Sequence, residues 1–366
     1  MHVGLLIYGR LDTVSGGFIY DRNLVRYLRE AGDRVDVISL PWRRYGVSLL
    51  DNLNAGLRRR LTRAAFDVLL QDELVHPACF WLNKRLRPRL GYPVIAIVHH
   101  LRCRERHPAG MTRLYHWVEK RYLASVDGFI CVSRTTAGDV EDLAGRTQPL
   151  MVATPGRDGL PGAVSREEIM ARANAPGAFD LLFVGNLIPR KELHTLLAAL
   201  ASLPGDDWRL AVAGSLTMDA AYVAAIRRQI QEAGLAPRVS LLGALSAREL
   251  AARCAASHLL TVPSSYEGFG IVYLEGMQFG LPAIAGTAGA AKEIITHGHN
   301  GFLVPPGNPE ALAHHLELLI RDRELLLEMS LAAHRAAAAH PTWNDSAARV
   351  RGFLQSFMGL RSTHKL

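Results

Sequence analysis

Residues 263–276 read Pro-Ser-Ser-Tyr-Glu-Gly-Phe-Gly-Ile-Val-Tyr-Leu-Glu-Gly and follow the apolar run Leu259–Val262. The apolar run predicts a buried strand, and the residues after Gly270 predict a helix. Gly268 and Gly270 allow a tight turn and a close approach of the backbone to a ligand. The predicted helix start offers three backbone N–H groups that suit a phosphate, those of Phe269, Gly270 and Ile271.

Two carboxylates, Glu267 and Glu275, flank this turn with seven residues between them. A carboxylate is repelled by a neighbouring phosphate, so its better partners are neutral hydroxyl groups. It accepts hydrogen bonds from two vicinal hydroxyls, as a sugar or a ribose offers. The stretch therefore predicts a nucleotide-sugar site. The structural alternative is an ordinary helix start with a glutamate near its positive end.

Apolar, strand-like runs alternate with helical patterns along the rest of the chain. A first series extends from Val3–Ile7 to Phe129–Val132, and a second extends from Leu181–Val184 to Gly301–Val304. Such alternation is typical of parallel βαβ units, so the expected fold class is α/β with two doubly wound domains. Residues 154–178 are rich in Pro and Gly and are interpreted as a linker that contains a short helix.

The composition excludes several classes of protein. A chain of 366 residues with 49% hydrophobic and 21% charged residues is globular and long enough for two domains. Its four cysteines form no C-x-x-C pair, which argues against a disulfide framework or a cysteine zinc site. Neither a transmembrane run nor a signal peptide is recognised, and we expect a cytoplasmic protein.

The formal net charge of +8 lies in the first half of the chain. Residues 1–176 hold 26 basic and 18 acidic side chains, whereas residues 177–366 hold 16 of each. Leucines at three- and four-residue spacing predict a basic amphipathic helix over Leu49–Arg63, suited to an anionic membrane surface. The candidate membrane contacts are Trp42, Arg43, Arg44, Arg58, Arg59, Arg60 and Arg63. The alternatives are a solvated helix and a nucleic-acid surface, and no nucleic-acid motif supports the latter.

The stretch at 263–276 resembles the donor-binding signature of retaining glycosyltransferases with the GT-B fold, which include sucrose synthase-like and mannosyltransferase enzymes. Their pattern is a glutamate, a Gly-Phe-Gly-like turn and a second glutamate after seven residues, which this sequence matches. The resemblance implies that Glu267 contacts the hydroxyls of the donor hexose. It implies that Glu275 contacts those of the ribose.

A second resemblance lies at residues 183–191, where Phe-Val-Gly-Asn-Leu-Ile-Pro-Arg-Lys follows the family pattern of strand, glycine turn and basic pair. It implies that Gly185 lines the donor site and that Arg190 and Lys191 neutralise the diphosphate and the leaving group. The structural alternative is a basic pair on a solvated helix start. Glu192 departs from the pattern, because the family usually has a glycine there.

Matches in the first domain are shorter. Gly16 and Gly17 resemble the glycine-rich loop near the reacting centre of the family, and His99 resembles its functional histidine, with His100 as the alternative. Ser133 resembles a strand-to-helix residue on the acceptor side. In the second domain, Gly214 would line the nucleotide pocket.

The resemblance implies a GT-B architecture of two Rossmann-like domains facing across a cleft. The acceptor-binding domain would span 1–165, joined by a C-terminal helix at about 343–366, and the donor-binding domain would span 178–342. The tail helix carries several aromatic residues, which predicts that it packs against the first domain.

The implied activity is a retaining hexosyl transfer from an NDP-sugar such as UDP-glucose, UDP-galactose or GDP-mannose. We expect no cofactor and no metal, because the Asp-x-Asp of metal-dependent transferases is missing from the sequence. The acceptor would be a lipid or glycan at the cytoplasmic membrane surface. Two alternatives stay open, an NDP-sugar epimerase on the same fold and a non-catalytic nucleotide-sugar binding protein.

Overall fold

Six parallel strands form the sheet of the first unit, in the order β2-β1-β3-β4-β5-β6. The computed structural model describes residues 1–13, 15–145 and 148–362. The strands are β1 His2–Tyr8, β2 Arg34–Leu40, β3 Val68–Asp72, β4 Val94–Val98, β5 Gly128–Cys131 and β6 Leu150–Val152. Every residue of β3, β4 and β5 is buried, as expected for central strands covered on both faces. The sequence pattern does not predict β6, because it is a half-buried edge strand of three residues.

Seven helices connect these strands. They are α1 Gly16–Glu30, α2 Tyr45–Ser48, α3 Ala55–Arg63, α4 His76–Cys79, α5 Leu82–Leu86, α6 Ala109–Leu123 and α7 Arg134–Ala144.

The prediction of one continuous amphipathic helix over Leu49–Arg63 is wrong. Asn54 is extended, with ψ of 103°, and its side chain accepts a hydrogen bond from the Leu57 N–H at 3.0 Å. Asparagine is a strong N-cap residue, so α3 begins only after it. The preceding Leu49–Leu53 forms a short 3-10 turn.

The second unit has its own six-stranded parallel sheet, in the order β12-β11-β10-β7-β8-β9. Its strands are β7 Phe179–Val184, β8 Trp208–Ala213, β9 Val239–Gly243, β10 Leu259–Val262, β11 Ala283–Gly286 and β12 Gly301–Val304. The direction of winding reverses between β7 and β10, and in the first unit it reverses between β1 and β3. Ligands of doubly wound sheets bind outside the carboxyl ends of the strands at such a reversal.

The helices of the second unit are α8 Arg166–Ala173, α9 Leu193–Ala201, α10 Ala220–Glu232, α11 Ala247–Ala256, α12 Ile271–Gln278, α13 Pro309–Arg321 and α14 Arg323–Ala339. The unit spans Gly156–Pro341, so all but the first two residues of the segment interpreted as a linker are part of it. The Arg172 guanidinium on α8 donates hydrogen bonds to the carbonyl oxygens of Phe279 and Gly280, at 2.8 and 3.1 Å. These bonds attach α8 to the turn that precedes β11.

The last helix, α15 Trp343–Ser362, returns to the first unit, which comprises Met1–Pro155 and Thr342–Leu366. The Trp343 ring packs edge-on against Tyr20 of α1, with ring centroids 5.9 Å apart. Arg351 donates a hydrogen bond to Asp33 at 2.7 Å. Both contacts attach α15 to α1 and to the turn that follows it.

Candidate active site

The basic pair and the first glutamate of the two predicted motifs meet at the sheet reversal of the second unit. Lys191 lies in the turn after β7, and Glu267 lies in the loop after the neighbouring strand β10. The Lys191 ammonium donates a hydrogen bond to Glu267 Oε2 at 2.7 Å, and Arg190 Nη1 lies 4.0 Å from the same oxygen. The side chains of Lys191 and Glu267 are each 13% exposed, so water screens the pair only partly.

The charged neighbours of Glu267 and Lys191 shift the pKa values of both side chains. Burial favours the neutral acid, but the charges of Lys191 and Arg190 outweigh it and hold the pKa of Glu267 below its ordinary value. Burial lowers the pKa of Lys191, although Glu267 opposes that effect. The site therefore presents two cations and an ionised carboxylate in one small volume.

Backbone hydrogen bonds hold the two loops together around this group. The Ser265 N–H donates to the carbonyl oxygen of Arg190 at 2.8 Å. The Arg190 guanidinium donates in return to the carbonyl oxygen of Tyr266 at 2.7 Å. Part of the Arg190 hydrogen-bonding capacity is thus used to fix the loop that carries Glu267.

Gly270 begins α12 in the left-handed region, with φ of +101°. A Cβ atom at this position would also collide with the ring of Tyr273, whose hydroxyl donates to the Val262 carbonyl oxygen at 2.7 Å. Glycine is required here for both reasons. The first N–H groups of a helix lack partners within it. Of the three predicted donors, Gly270 is the N-cap and Ile271 the first helical residue, whereas Phe269 precedes the cap.

Glu275 lies on α12 in surroundings unlike those of Glu267. Its side chain is half-buried and forms no hydrogen bond with the part of the chain that the structure describes. Burial raises the pKa of Glu275 to about 7. A half-buried carboxylate without a protein partner is well suited to accept hydrogen bonds from hydroxyls of a ligand.

Two predicted donor-site glycines lie beside Lys191. A Cβ on Gly185 would lie 3.4 Å from the Lys191 side chain, which is ordinary van der Waals contact, so the two residues are direct neighbours. A Cβ on Gly214 would collide with the Gly185 carbonyl oxygen. The structure therefore brings Gly185, Gly214 and Lys191 together at the carboxyl ends of β7 and β8.

Glu192, the departure from the family pattern, adopts the conformation that a glycine would take. It has φ of +53° and is the one non-glycine residue with positive φ among residues 1–13, 15–145 and 148–362. A left-handed conformation costs an L-residue about 1–2 kcal/mol. The buried Glu192 carboxylate accepts hydrogen bonds from the Gly307 N–H at 2.6 Å and the Thr195 hydroxyl at 3.2 Å. These bonds offset the strain, and sequence reasoning missed them.

In the first unit, the glycine loop and His99 lie next to each other. Gly16 and Gly17 begin α1, and a Cβ on Gly17 would come within 3.0 Å of the His99 ring. The His99 ring lies against Tyr20, with centroids 5.4 Å apart, and its side chain is 11% exposed. The glycine at position 17 therefore makes room for the imidazole.

The other two predicted residues of this unit already have protein partners. The His100 Nε2 lies 2.9 Å from Glu105 Oε1. Ser133 is fully buried and caps α7, where its hydroxyl oxygen accepts from the Thr136 N–H at 2.9 Å. The Ser133 hydroxyl has an N-capping role in this structure.

The predicted membrane-contact set is divided between two ends of the first sheet. Trp42 follows the carboxyl end of β2, stacks on Tyr8 at 5.4 Å and is 56% exposed. Arg44 beside it is exposed, and Arg43 lies 3.7 Å from Asp51. Arg58 is exposed on α3. The other three arginines of α3, with His2 and Asp36, line a cavity at the amino end of the sheet, namely Arg59, Arg60 and Arg63.

Sequence reasoning missed most of the exposed apolar side chains of the first unit. Seven of the ten large apolar side chains that are exposed among the described residues lie between residues 42 and 117. We call five of them the exposed apolar set: Val47, Leu50, Leu53, Trp81 and Trp117. Guanidinium groups lie over both tryptophan rings, Arg85 at 4.4 Å and Arg121 at 3.7 Å. None of the described helices has the length and apolar character needed to cross a membrane.

Comparison with protein families gives two matches that together span most of the chain. The family described as "Glycosyl transferases group 1" matches residues 165–336, and "Glycosyltransferase Family 4" matches residues 14–158.

Curated relatives are similar over part of their length. A GDP-mannose-dependent alpha-(1-6)-phosphatidylinositol monomannoside mannosyltransferase of Mycobacterium tuberculosis is 28% identical over 53% of this chain and 52% of that protein. A D-inositol 3-phosphate glycosyltransferase of Pseudarthrobacter chlorophenolicus is 32% identical over 47% of this chain and 41% of that protein. The chain thus spans about half the length of these relatives.

Solved structures share the fold along nearly the whole chain. Sucrose-phosphate synthase from Thermosynechococcus elongatus superposes with a TM-score of 0.83 at 20% identity, covering 98% of this chain and 99% of that one. Anabaena HepE in complex with UDP-glucose superposes with a TM-score of 0.74 at 21% identity, covering 97% and 100%.

Proposed function

The chain belongs to the GT-B glycosyltransferases, and from that premise we propose that it moves a hexose from an NDP-sugar to an acceptor hydroxyl, with retention of configuration and without a metal ion. One observation carries the proposal: Lys191 and Glu267 meet at the sheet reversal of the second unit, 2.7 Å apart. The pair combines a cation for phosphate with an acceptor for sugar hydroxyls.

The donor diphosphate is expected to lie against Lys191 and Arg190 and the start of α12. Phosphate oxygens attract both cations and accept hydrogen bonds from the helix N–H groups. A bound diphosphate would compete with Glu267 for the Lys191 ammonium. It would thereby release carboxylate lone pairs for the hydroxyls of the hexose. Glu275, further along α12, would take the ribose hydroxyls.

In the chemical step, the acceptor oxygen attacks the anomeric carbon on the face from which the phosphate departs. The bond between the anomeric carbon and the phosphate oxygen breaks, and its electron pair leaves with the nucleoside diphosphate. The proton of the acceptor hydroxyl passes to an oxygen of that leaving phosphate. Lys191 and Arg190 stabilise the negative charge that develops there. Electrostatic stabilisation of this kind is usually the largest single contribution to catalysis.

The candidate donors are UDP-glucose, UDP-galactose and GDP-mannose. The relative named as GDP-mannose-dependent and the neighbour solved with UDP-glucose support including both bases. A thermal-shift panel with these donors, followed by mass analysis of products formed with a lipid extract, tests the proposal. Formation of an epimerised NDP-sugar, or donor binding with no product from any acceptor, would contradict glycosyl transfer.

The acceptor proposed here is a lipid or lipid-linked glycan at an anionic membrane surface. The support is the exposed apolar set, in which arginines lie over both tryptophan rings, in a half-chain that carries the whole net positive charge. Tryptophan and arginine with aliphatic residues are the composition of surfaces that lie in a bilayer interface. Trp42 and Arg44 extend the same composition next to the carboxyl end of β2.

A further inference from the structure

A buried cluster of acids surrounds His99 at the sheet reversal of the first unit. Asp21 lies on α1, Asp72 ends β3, and Glu73 follows it. His99 comes directly after β4. These elements meet at the carboxyl ends of β1, β3 and β4, where a doubly wound sheet binds its ligand. Gly17 of the glycine loop lies against the same imidazole.

Two carboxylates lie near one nitrogen of the ring. His99 Nε2 is 3.6 Å from Asp21 Oδ1 and 3.5 Å from Asp72 Oδ2. Asp21 is fully buried and Asp72 is 1% exposed. Within the described residues, Nε2, both Asp21 oxygens and Asp72 Oδ2 have no hydrogen-bond partner. Buried polar atoms are rarely left without a hydrogen-bond partner, because each such atom costs about 1–3 kcal/mol of folding free energy unless a neighbouring charge compensates.

The acidic groups that face the His99 ring determine whether it is protonated. Burial opposes an imidazolium, but the carboxylates of Asp21, Asp72 and Glu73 outweigh it and raise the pKa of His99 well above its ordinary value. Burial, aided by the charge of Asp72, raises the pKa of Asp21 to about 7. Burial and Asp72 also raise the pKa of Glu73. Burial opposes an ionised Asp72 too, but His99 and Asp21 outweigh it and hold the pKa of Asp72 below its ordinary value. A protonated His99 beside an ionised Asp72 leaves this buried group nearly neutral.

Protonation changes what the ring offers to a substrate. In a neutral imidazole with its proton on Nε2, Nδ1 is an acceptor, whereas in the imidazolium both nitrogens are donors. Glu73 Oε2 accepts a hydrogen bond from the His99 backbone N–H at 2.8 Å, which fixes the residue itself. The second nitrogen, Nδ1, makes no hydrogen bond with the residues that the structure describes and is left for a ligand.

We propose that Asp21 and Asp72 are positioning residues that keep His99 protonated beside Gly17, so that its Nδ1–H donates a hydrogen bond to an oxygen of the bound substrate. The role of the substrate in this inference rests on the proposed function. The protonation state of His99 does not, and it is measured separately.

The direct test is a pH titration of the histidine ring nitrogens by 15N NMR, with the His99 signals assigned by their loss in His99→Gln. In the wild-type protein we expect both ring nitrogens to be protonated at pH 7, where an ordinary imidazole is mostly neutral. In Asp72→Asn and Asp21→Asn, deprotonation should occur at lower pH. A neutral His99 at pH 7 in the wild-type protein would overturn the inference.

The kinetic test compares the pH profiles of turnover in the same variants. At a pH above the pKa of His99, lowering that pKa by one further unit reduces the imidazolium fraction about tenfold. Asp72→Asn should therefore lose about tenfold or more in kcat at pH 8 and much less at pH 6, with a smaller change in KM. Asp36→Asn, a carboxylate that pairs with the half-buried His2, is the matched control and should leave the profile unchanged.

Several outcomes separate the possible failures. An equal loss of kcat at pH 6 and pH 8 would mean a merely structural role and would overturn the inference. Asp21, Asp72 and His99 also have the composition of a cation site. If micromolar Zn²⁺ or EDTA shifts the wild-type His99 signals, the ring binds a metal ion and is not an imidazolium. That result would overturn the inference. If no donor yields a product, the proposed function fails while the NMR titration still reports on His99.

Discussion

Lys191 and Glu267 are 76 positions apart in the sequence, and their charged atoms meet at 2.7 Å. They follow β7 and β10, which are neighbours in the sheet although two strands, β8 and β9, lie between them in the sequence. A mutation of either residue therefore leaves the other charge poorly compensated in a site that is only 13% exposed.

Replacing Lys191 with Met should lower turnover on the order of 10²–10³-fold, because the cation facing the leaving phosphate is lost. It should also lower the melting temperature, since breaking a buried ion pair costs about 3–5 kcal/mol. Adding Glu267→Gln should restore stability without restoring turnover. Thermal unfolding and steady-state rates of the two single variants and the double variant check this. Additive melting-temperature losses would contradict the pairing.

Replacing Glu275 with Gln should have a pH-dependent effect on stability. The pKa of this group rises on folding from about 4.3 to about 7, so the neutral acid favours the folded state. That stability is present at low pH and is lost as the pH rises through 7. Relative to the wild-type protein, the Gln variant should melt at the same temperature at pH 4.5 and at a higher temperature at pH 8.

The same Glu275→Gln variant should bind the nucleoside diphosphate about tenfold more weakly or worse, because hydrogen bonds to a charged acceptor contribute about 1.5–3 kcal/mol. Isothermal titration with UDP and GDP measures this. Unchanged affinity for both nucleotides would remove Glu275 from the ribose site.

Substitutions of Glu192 should separate the strain of its backbone from the hydrogen bonds of its carboxylate. Gln keeps part of the bonding, Gly relieves the left-handed conformation but loses the bonds, and Ala loses the bonds and keeps the strain. We expect melting temperatures in the order wild type, Gln, Gly, Ala. An Ala variant as stable as the Gly variant would show that φ of +53° carries no cost at this position.

Replacing Trp81 and Trp117 together with Glu should reduce sedimentation with vesicles rich in phosphatidylglycerol. Each change removes apolar area and adds a negative charge beside an anionic surface. Met218→Glu is the matched control, because Met218 is an apolar residue of the second unit that is 53% exposed. Equal losses in the control would argue against a dedicated surface. Arg59, Arg60 and Arg63 lie at the other end of the sheet, so reversing their charge should have a smaller effect.

Treatment with EDTA should leave hexosyl transfer unchanged, because Lys191 and Arg190 are proposed to provide the positive charge that a metal ion provides in other transferases. Activity before and after chelation, with Mg²⁺ or Mn²⁺ added back, measures this. Loss of activity that either ion restores would contradict the proposed mechanism.

The residues proposed for the donor half of the candidate site could be identified from the sequence because they lie in two short, contiguous stretches. A strand, a glycine turn and charged residues follow one another at 183–191 and again at 259–276, so local patterns identify them. The bulk of the fold was predictable for the same reason. Short runs that are apolar throughout, such as those of β4 and β10, are typical of buried strands and fit an exposed helix or a loop poorly.

The remaining features depend on contacts that no local pattern encodes. Asp21 and Asp72 are single acids on separate elements, and only the strand order brings them to His99. The one available signal was the position of Asp72 at the end of an apolar strand. Asn54 interrupts a leucine spacing that otherwise fits a helix, because a side-chain cap competes with helix continuation. Leu50 and Leu53, predicted on the apolar side of a helix suited to a membrane surface, lie instead in the 3-10 turn before Asn54 and are exposed.

The return of α15 has a consequence for biosynthesis. The second unit is inserted between the two segments of the first, and Trp343 and Arg351 complete the surface around Tyr20 and Asp33. During translation, residues 156–341 emerge as one continuous segment and are able to fold while the ribosome is still at work. The unit that emerges earliest is therefore finished last, and a premature stop before Trp343 would leave the surface of α1 that α15 covers open to proteases and chaperones.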